Sequence, residues 1–428
     1  MMTINEDCSF EDIYCIAKKI WDENDHHEVH IVELLRYYLQ YYPDRTNARA
    51  MYGDSLGLIG RSDEAFPVLI QAFNECQQTE DKSQAAEEIA LGIALLAERY
   101  KSPGEAKKWY EITANALTSP VGWIWLIRGI NLAVLGEFKD SIECFEKVIQ
   151  TQADEKDEAL LNLGLVYRAM GKYNEAMDCF RQALDINASY KEAQNALRSL
   201  DGIHETINLI QQSKPEEVFL DDIYRIAREF WDKDREVHIA ELMRHYLQFR
   251  PKHIQAWFMY GSALRILGNR DAAYSALKQA FENCQQQEPK GEIALELAKL
   301  TEKHFSPGGA KKWFEIAHEL LPDFGCLWMY RGENLAVLGE FEQAIECYDN
   351  IVRMHNDLED EALFKLGLVY RSMGKYDEAI DCLRQALDIN PAYQELQEVL
   401  RGLEGIYDTI DLIEKSRIKN AGFCLDSS

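Results

Sequence analysis

The stretch Asp157–Tyr190, DEALLNLGLVYRAMGKYNEAMDCFRQALDINASY, decides the fold. Leu160, Leu163, Gly164 and Tyr167 recur at helical spacing, and so do Ala176, Phe180 and Ala183. Between the two runs stands Met170-Gly171-Lys172, a glycine break of the kind that ends a helix. The spacing predicts two amphipathic helices joined as a hairpin. Gly164 and Ala176 carry almost no side chain, so the two helices can come close. Phe180 reads as a large knob between adjacent hairpins.

The same stretch returns at Asp360–Tyr393 with Leu363, Leu366, Gly367, Tyr370, Ala379, Leu383 and Ala386. It adds Pro391, which cannot continue a helix. Other identities keep the same offset of 203 positions: NLAVLGEF begins at 131 and 334, LGLVYR at 163 and 366, RQALDIN at 181 and 384. Earlier pairs drift, with Asp12-Ile-Tyr against Asp222-Ile-Tyr 210 apart. The chain therefore reads as one module written twice, 1–213 and 214–416, with a flexible tail at 417–428. The polar, proline-marked run Gln211–Pro215 is the expected seam.

Weaker versions of the hairpin fill the rest. Trp125 with Gly129 and Phe145, and Trp328 with Gly332, Ala344 and Tyr348, make one unit per module. Gly53 with Ala65 and Ala72, and Trp257 with Gly261, Ala273 and Ala280, make another. Ala298, Ala310 and Phe314 form a variant with Ala for Gly, matched by Ala94, Ala106 and Tyr110. Segments 10–43 and 220–251 are the most degenerate and keep only Pro43 and Pro251. The pattern resembles the tetratricopeptide repeat, whose signature is W-x₂-L-G-x₂-Y, then A-x₃-F, then A and P. The overall look is similar to stand-alone bacterial proteins of that family. The resemblance implies an all-α fold: an α-solenoid of about ten helical hairpins in a right-handed superhelix. Each module would hold five hairpins, with one trailing helix at 190–213 and at 393–416.

Composition narrows the function. The 428 residues hold 73 Asp and Glu against 46 Lys and Arg, a net charge of −27. Phosphate neutralisation needs the opposite balance, so nucleic acid is not an expected partner. No apolar run approaches the ~20 residues that span a bilayer, so no membrane role is expected. The acidic opening MMTINEDCSFED lacks the apolar core of a signal peptide. Ten scattered cysteines form no C-x-x-C pair, which suits a reducing cytoplasm.

The sequence leads to the expectation of no catalytic residues, no metal site and no cofactor. H-E-x-x-H, a phosphate-binding glycine loop and a G-x-S-x-G elbow are all missing. Ser306-Pro-Gly-Gly-Ala-Lys-Lys reads as a hairpin turn before a basic helix start. His26 and His30 are four apart, but their counterparts are Asp234 and His238, so they read as solvent-facing histidines. Enzymatic activity is not expected.

Members of the resembled family are usually binding scaffolds whose first helices line a concave groove. Positions three before, one after and four after the Gly-type residue give the expected lining. Its partner-binding candidates are Asp54, Leu126, Arg168, Phe258, Arg265, Met329, Glu333, Phe364 and Arg371, with Trp123 as a surface aromatic off the core Trp site. Such a lining is substantially apolar with a few placed charges, as partner-binding surfaces are. Trp109 and Trp313 read as packing between repeats. The carboxylate clamp by which some relatives hold acidic chaperone tails is not expected: no Lys stands three before and no Asn one after a Gly-type residue, Asn162 stands alone two before Gly164, and Gln255, Glu361 and Cys326 occupy sites where the Lys should be. The acidity has two readings: a charge that keeps an extended solenoid soluble, or a field that attracts a basic partner. Two functions follow: a non-catalytic scaffold binding a partner protein or peptide in its groove, or an immunity or antitoxin-type inhibitor that clasps a basic toxin or effector.

Overall fold

The computed structural model describes the chain except residues 1–9, 24–26, 79–83, 117–121, 152–153, 213–216, 232, 234, 323, 355–356 and 426–428. The described residues form α-helices and no strand. In the first half the hairpins are α1 (Phe10–Glu23) with α2 (Glu28–Tyr41), α3 (Thr46–Leu58) with α4 (Ser62–Gln78), α5 (Gln84–Tyr100) with α6 (Pro103–Ala116), α7 (Gly122–Val134) with α8 (Phe138–Gln150), and α9 (Lys156–Ala169) with α10 (Tyr173–Ile186). Two short helices follow, α11 (Lys191–Arg198) and α12 (Ile203–Gln212). The second half repeats the order: α13 (Glu217–Trp231) with α14 (Glu236–Phe249), α15 (Ile254–Ile266) with α16 (Arg270–Asn283), α17 (Gln287–His304) with α18 (Pro307–Leu320), α19 (Gly325–Val337) with α20 (Phe341–Arg353), α21 (Glu359–Ser372) with α22 (Tyr376–Ile389), then α23 (Gln394–Gly402) and α24 (Ile406–Leu425).

The hairpin turn is built by local chemistry. Gly171 takes φ +75°, a left-handed conformation that costs glycine nothing. Its N–H donates to Arg168 O at 3.0 Å, and the Lys172 N–H donates to Tyr167 O at 2.9 Å. These two bonds satisfy carbonyls that the end of α9 would otherwise leave open. Within the hairpin, a Cβ on Gly164 would stand 2.5 Å from the Phe180 ring. The fully buried Phe180 thus fills the gap at Gly164 of its own hairpin, a closer contact than the expected place between hairpins. Gly129 with Phe145 and Gly332 with Tyr348 repeat the arrangement at 2.6 and 2.7 Å. The Ser306 run is a cap: its side chain accepts from the Gly309 N–H at 3.1 Å, with Pro307 in the first turn of α18.

One expectation changes at the end of each half. The segment after the fifth hairpin is two helices, not one. Gly202 and Gly405, both at φ +77°, break it in equivalent places. The backbone of α24 runs on to Leu425, into the stretch expected as a tail. Part of the expected seam, residues 213–216, lies outside the described residues.

The chain groups into two compact units, each drawing on both copies of the sequence module. Unit 1 holds 1–96 and 328–428, and unit 2 holds 97–327. In unit 2 one apolar core runs without a break through Leu160, Phe180, Leu200, Ile203, Ile223, Val237 and Leu277. In unit 1 the first hairpin packs Ile13, Ile31, Leu34 and Leu35 with Leu412 and Ile413 of α24. Segments from opposite ends of the sequence therefore share one core.

Candidate interaction surface on the first helices

The polar candidates on the first helices face the next hairpin rather than standing free. In unit 2, Arg265 of α15 donates from Nε to Glu296 of α17 at 2.8 Å. Lys299, one turn along α17, lies 3.5 Å from the other oxygen of Glu296. Arg168 of α9 donates to Ser199 Oγ at 3.2 Å, just past α11. In unit 1, Glu333 of α19 pairs with Lys365 of α21 at 2.7 Å. Asp54 of α3 seats its carboxylate against Gly92 of α5, 2.6 Å from where a Cβ would stand. Burial pushes the Asp54 carboxyl up to about 7, with the charge of Glu88 adding to the effect. Each contact spans from one first helix to the next hairpin, so these charges set the spacing of the stack.

The apolar candidates divide. Leu126, Met329 and Phe364 are buried, and Phe364 sits 5.0 Å from the Tyr393 ring, centroid to centroid. They fill the stack and offer no open lining, because the position three before the glycine turns toward the neighbouring helix. Phe258 is half-buried with Trp231 at 5.9 Å, and Trp123 is half-buried. Arg371 is half-buried near the end of α21. Trp313 meets Phe281 edge-on at 5.2 Å, as expected of a packing residue.

The histidines depart most from expectation. His30, expected to face solvent, and its counterpart His238 are buried, 6% and 2% exposed. His30 Nδ1 lies 2.7 Å from Thr409 Oγ1, and His238 Nδ1 lies 2.7 Å from Thr206 Oγ1. Burial lowers both imidazoles to about 4. The reason is the helix after each Gly break, which covers the first hairpin of a copy. His26 and Asp234 lie outside the described residues.

Clefts open elsewhere. One in unit 1, about 500 Å³, is lined by Glu33, Arg36, Arg61, Lys375, Tyr376 and Tyr407 among others. Another, about 370 Å³, shares Arg61 and Met373 with it and adds Asp63, Gly339 and Ser372. One in unit 2, about 410 Å³, is lined by Tyr224, Arg228, Trp231, Gln255 and Met259. None of the candidates read from the sequence lines these clefts, although Phe258 stands beside Trp231. The clefts lie at hairpin turns and between sequence-distant helices, which a repeat register does not mark. Among the described residues no group of three or more His, Cys, Asp or Glu could hold a metal ion. No helix among them is long and apolar enough to cross a membrane.

Family models place known repeats on three of these hairpins. Tetratricopeptide repeat models match residues 157–190, 254–287 and 360–393. The chain is 33% identical over 81 residues to the TPR repeat-containing protein MJ0940 of Methanocaldococcus jannaschii, covering 19% of this chain and 25% of that one. It is 26% identical over 164 residues to MJ1428 of the same organism, covering 37% and 27%. The matches thus span about a quarter of the curated relatives. Among solved structures, YrrB, described as a TPR protein with an unusual peptide-binding site, aligns at 15% identity and TM-score 0.39, covering 46% of this chain and 97% of that one. The MamA protein aligns at 18% identity and TM-score 0.37, covering 41% and 95%. Helical hairpins with glycine-set turns and small residues under large knobs accompany the three matched stretches, so the chain carries tetratricopeptide repeats at 157–190, 254–287 and 360–393.

Proposed function

We propose that this chain is a non-catalytic scaffold whose acidic surface binds a basic protein segment. The fold is that of protein–protein interaction scaffolds. The observation that carries the reading is how cations are used. Acidic groups exceed basic ones by 27. Many of the cations are already held by the chain's own carboxylates: Arg36 by Glu33, Arg49 by Glu75, Arg61 by Glu64, Lys107 by Glu137, Arg265 by Glu296 and Lys365 by Glu333. Pairing removes equal numbers of each sign and leaves the acidic excess to face solvent. That field attracts a basic segment and repels an acidic one.

The test uses the full chain and two labelled peptides of equal length, one rich in Lys and Arg, one rich in Asp and Glu. Anisotropy is read at about 50 and about 500 mM salt, where screening lengths differ roughly threefold. Binding of the basic peptide alone, weakened at high salt, is the expected result. Equal binding of both peptides, or binding indifferent to salt, would overturn the role given to charge. A pull-down over the same salt range then separates two kinds of partner: one dominant basic protein fits a dedicated inhibitor, and several fit a general scaffold.

A further inference from the structure

Two interfaces in this protein are the same interface made twice. At the internal seam, in unit 2, α12 packs on α14. Thr206 meets His238 at 2.7 Å, and the Tyr173 hydroxyl donates to Glu241 at 2.7 Å. Leu200 and Ile203 are each 1% exposed there. In unit 1, α24 packs on α2. Thr409 meets His30 at 2.7 Å, and the Tyr376 hydroxyl donates to Glu33 at 2.7 Å. Leu403 and Ile406 are 1% and 0% exposed. The Gly break before each covering helix has the same φ of +77°.

The two differ in connection. Thr206 and His238 are 32 residues apart, and the chain runs directly from one to the other. Thr409 and His30 are 379 residues apart. The start of the first copy accepts the end of the second as the start of the second accepts the end of the first. That recognition depends on the copy's surface and not on a local chain link.

We infer that the α2 face covered by α24 is an exchangeable docking site whose second occupant is the α23–α24 segment of another copy of this chain. The chemistry required of the occupant is a Gly-broken helix pair carrying Leu403, Ile406 and Thr409, and every copy has one. Within a single chain the tethered end has an effective concentration of order millimolar or more, so the self-seated form dominates when copies are dilute. Once an end is released, a second copy's end fits the vacated face without any new contact. This is domain exchange, which needs only an interface already complementary to itself.

Complementation between full-length variants tests the exchange. Thr409→Arg unseats the end and leaves the α2 face intact. His30→Arg spoils the face and leaves the end intact. Each alone should run as a monomer by light scattering. A one-to-one mixture should give a species of twice that mass, joined by the intact end of one on the intact face of the other. A mixture that stays monomeric while both variants keep wild-type helix content would overturn the inference. A second measurement needs no variant. Two differently tagged wild-type copies are unfolded and refolded together over a range of concentration. Mixed dimers that grow with concentration and persist after dilution support exchange, and monomer alone at every concentration rejects it. Neither arm involves a basic partner, so the result stands apart from the proposed function.

Discussion

Asp54 Oδ1 on α3 occupies the space that a side chain on Gly92 of α5 would fill, 2.6 Å from the position of a Cβ. A carboxylate is pressed against a helix where water is thin, and its proton is held up to about 7. The unfolded group titrates near 3.8. Between these values the folded chain binds the extra proton, so its stability falls as pH rises. Asp54→Asn should therefore raise the thermal midpoint at pH 8 and change it much less at pH 4, read by circular dichroism. A larger gain at pH 4 than at pH 8 would show that burial is not what holds the proton.

Gly92 itself gives a sharper prediction. Gly92→Ala places a methyl against the Asp54 carboxylate, which must swing out. Overpacking a tight contact costs about 1–3 kcal/mol. Asp54→Ala in the same chain should recover most of that cost, because it empties the space. Urea unfolding of the two single variants and the double gives the coupling directly, and additive losses would count against the contact.

The two buried histidines act with the opposite sign. Their folded values near 4 lie below the ordinary 6.5, so the unfolded chain takes the proton first. Stability is whole above about pH 6.5 and is lost as pH falls toward 4. Around His30 stand His27, which opposes the charge, and Asp408, which favours it. Around His238, Arg235 opposes and Glu205 and Asp201 favour. Replacing both with Gln should flatten the acid limb of a stability–pH curve measured between pH 4 and 7. An unchanged limb would assign acid sensitivity to other groups.

The repeat register made much of the fold legible. Gly164 with Phe180, Gly171 in its turn and the offset of 203 positions are all local signals, and a 3.6-residue period needs no tertiary information. The degenerate opening hairpins were found through Pro43 and Pro251, although nothing under them matches the Gly–Ala pair. What the register could not show is where non-local surfaces meet. Thr409 reaches His30 across 379 residues, so no window of sequence contains both. Hence His30 looked exposed. The candidate lining suffered in the same way: Arg265 and Glu333 were placed on the right helices, but their partners Glu296 and Lys365 sit one hairpin on. Position on a helix tells which way a side chain points, not what waits there.

The ion pairs of the first helices should differ in worth according to burial. Glu296 is 16% exposed and faces both Arg265 and Lys299, while Glu333 is 37% exposed and faces Lys365. Coulomb attraction grows as water is removed, and a carboxylate between two cations leaves both short of a partner when it is lost. An exposed pair is worth at most about 1 kcal/mol. Glu296→Gln should therefore destabilise the chain by about 1–3 kcal/mol, and Glu333→Gln by less than about 1 kcal/mol. Salt separates them further: about 500 mM should erase most of the Glu333 effect and leave most of the Glu296 effect, since buried charges are screened less. Urea unfolding of both variants at low and high salt measures all four values. Equal losses at low salt would mean that the Arg265 pair is hydrated in solution and does not set the spacing between α15 and α17.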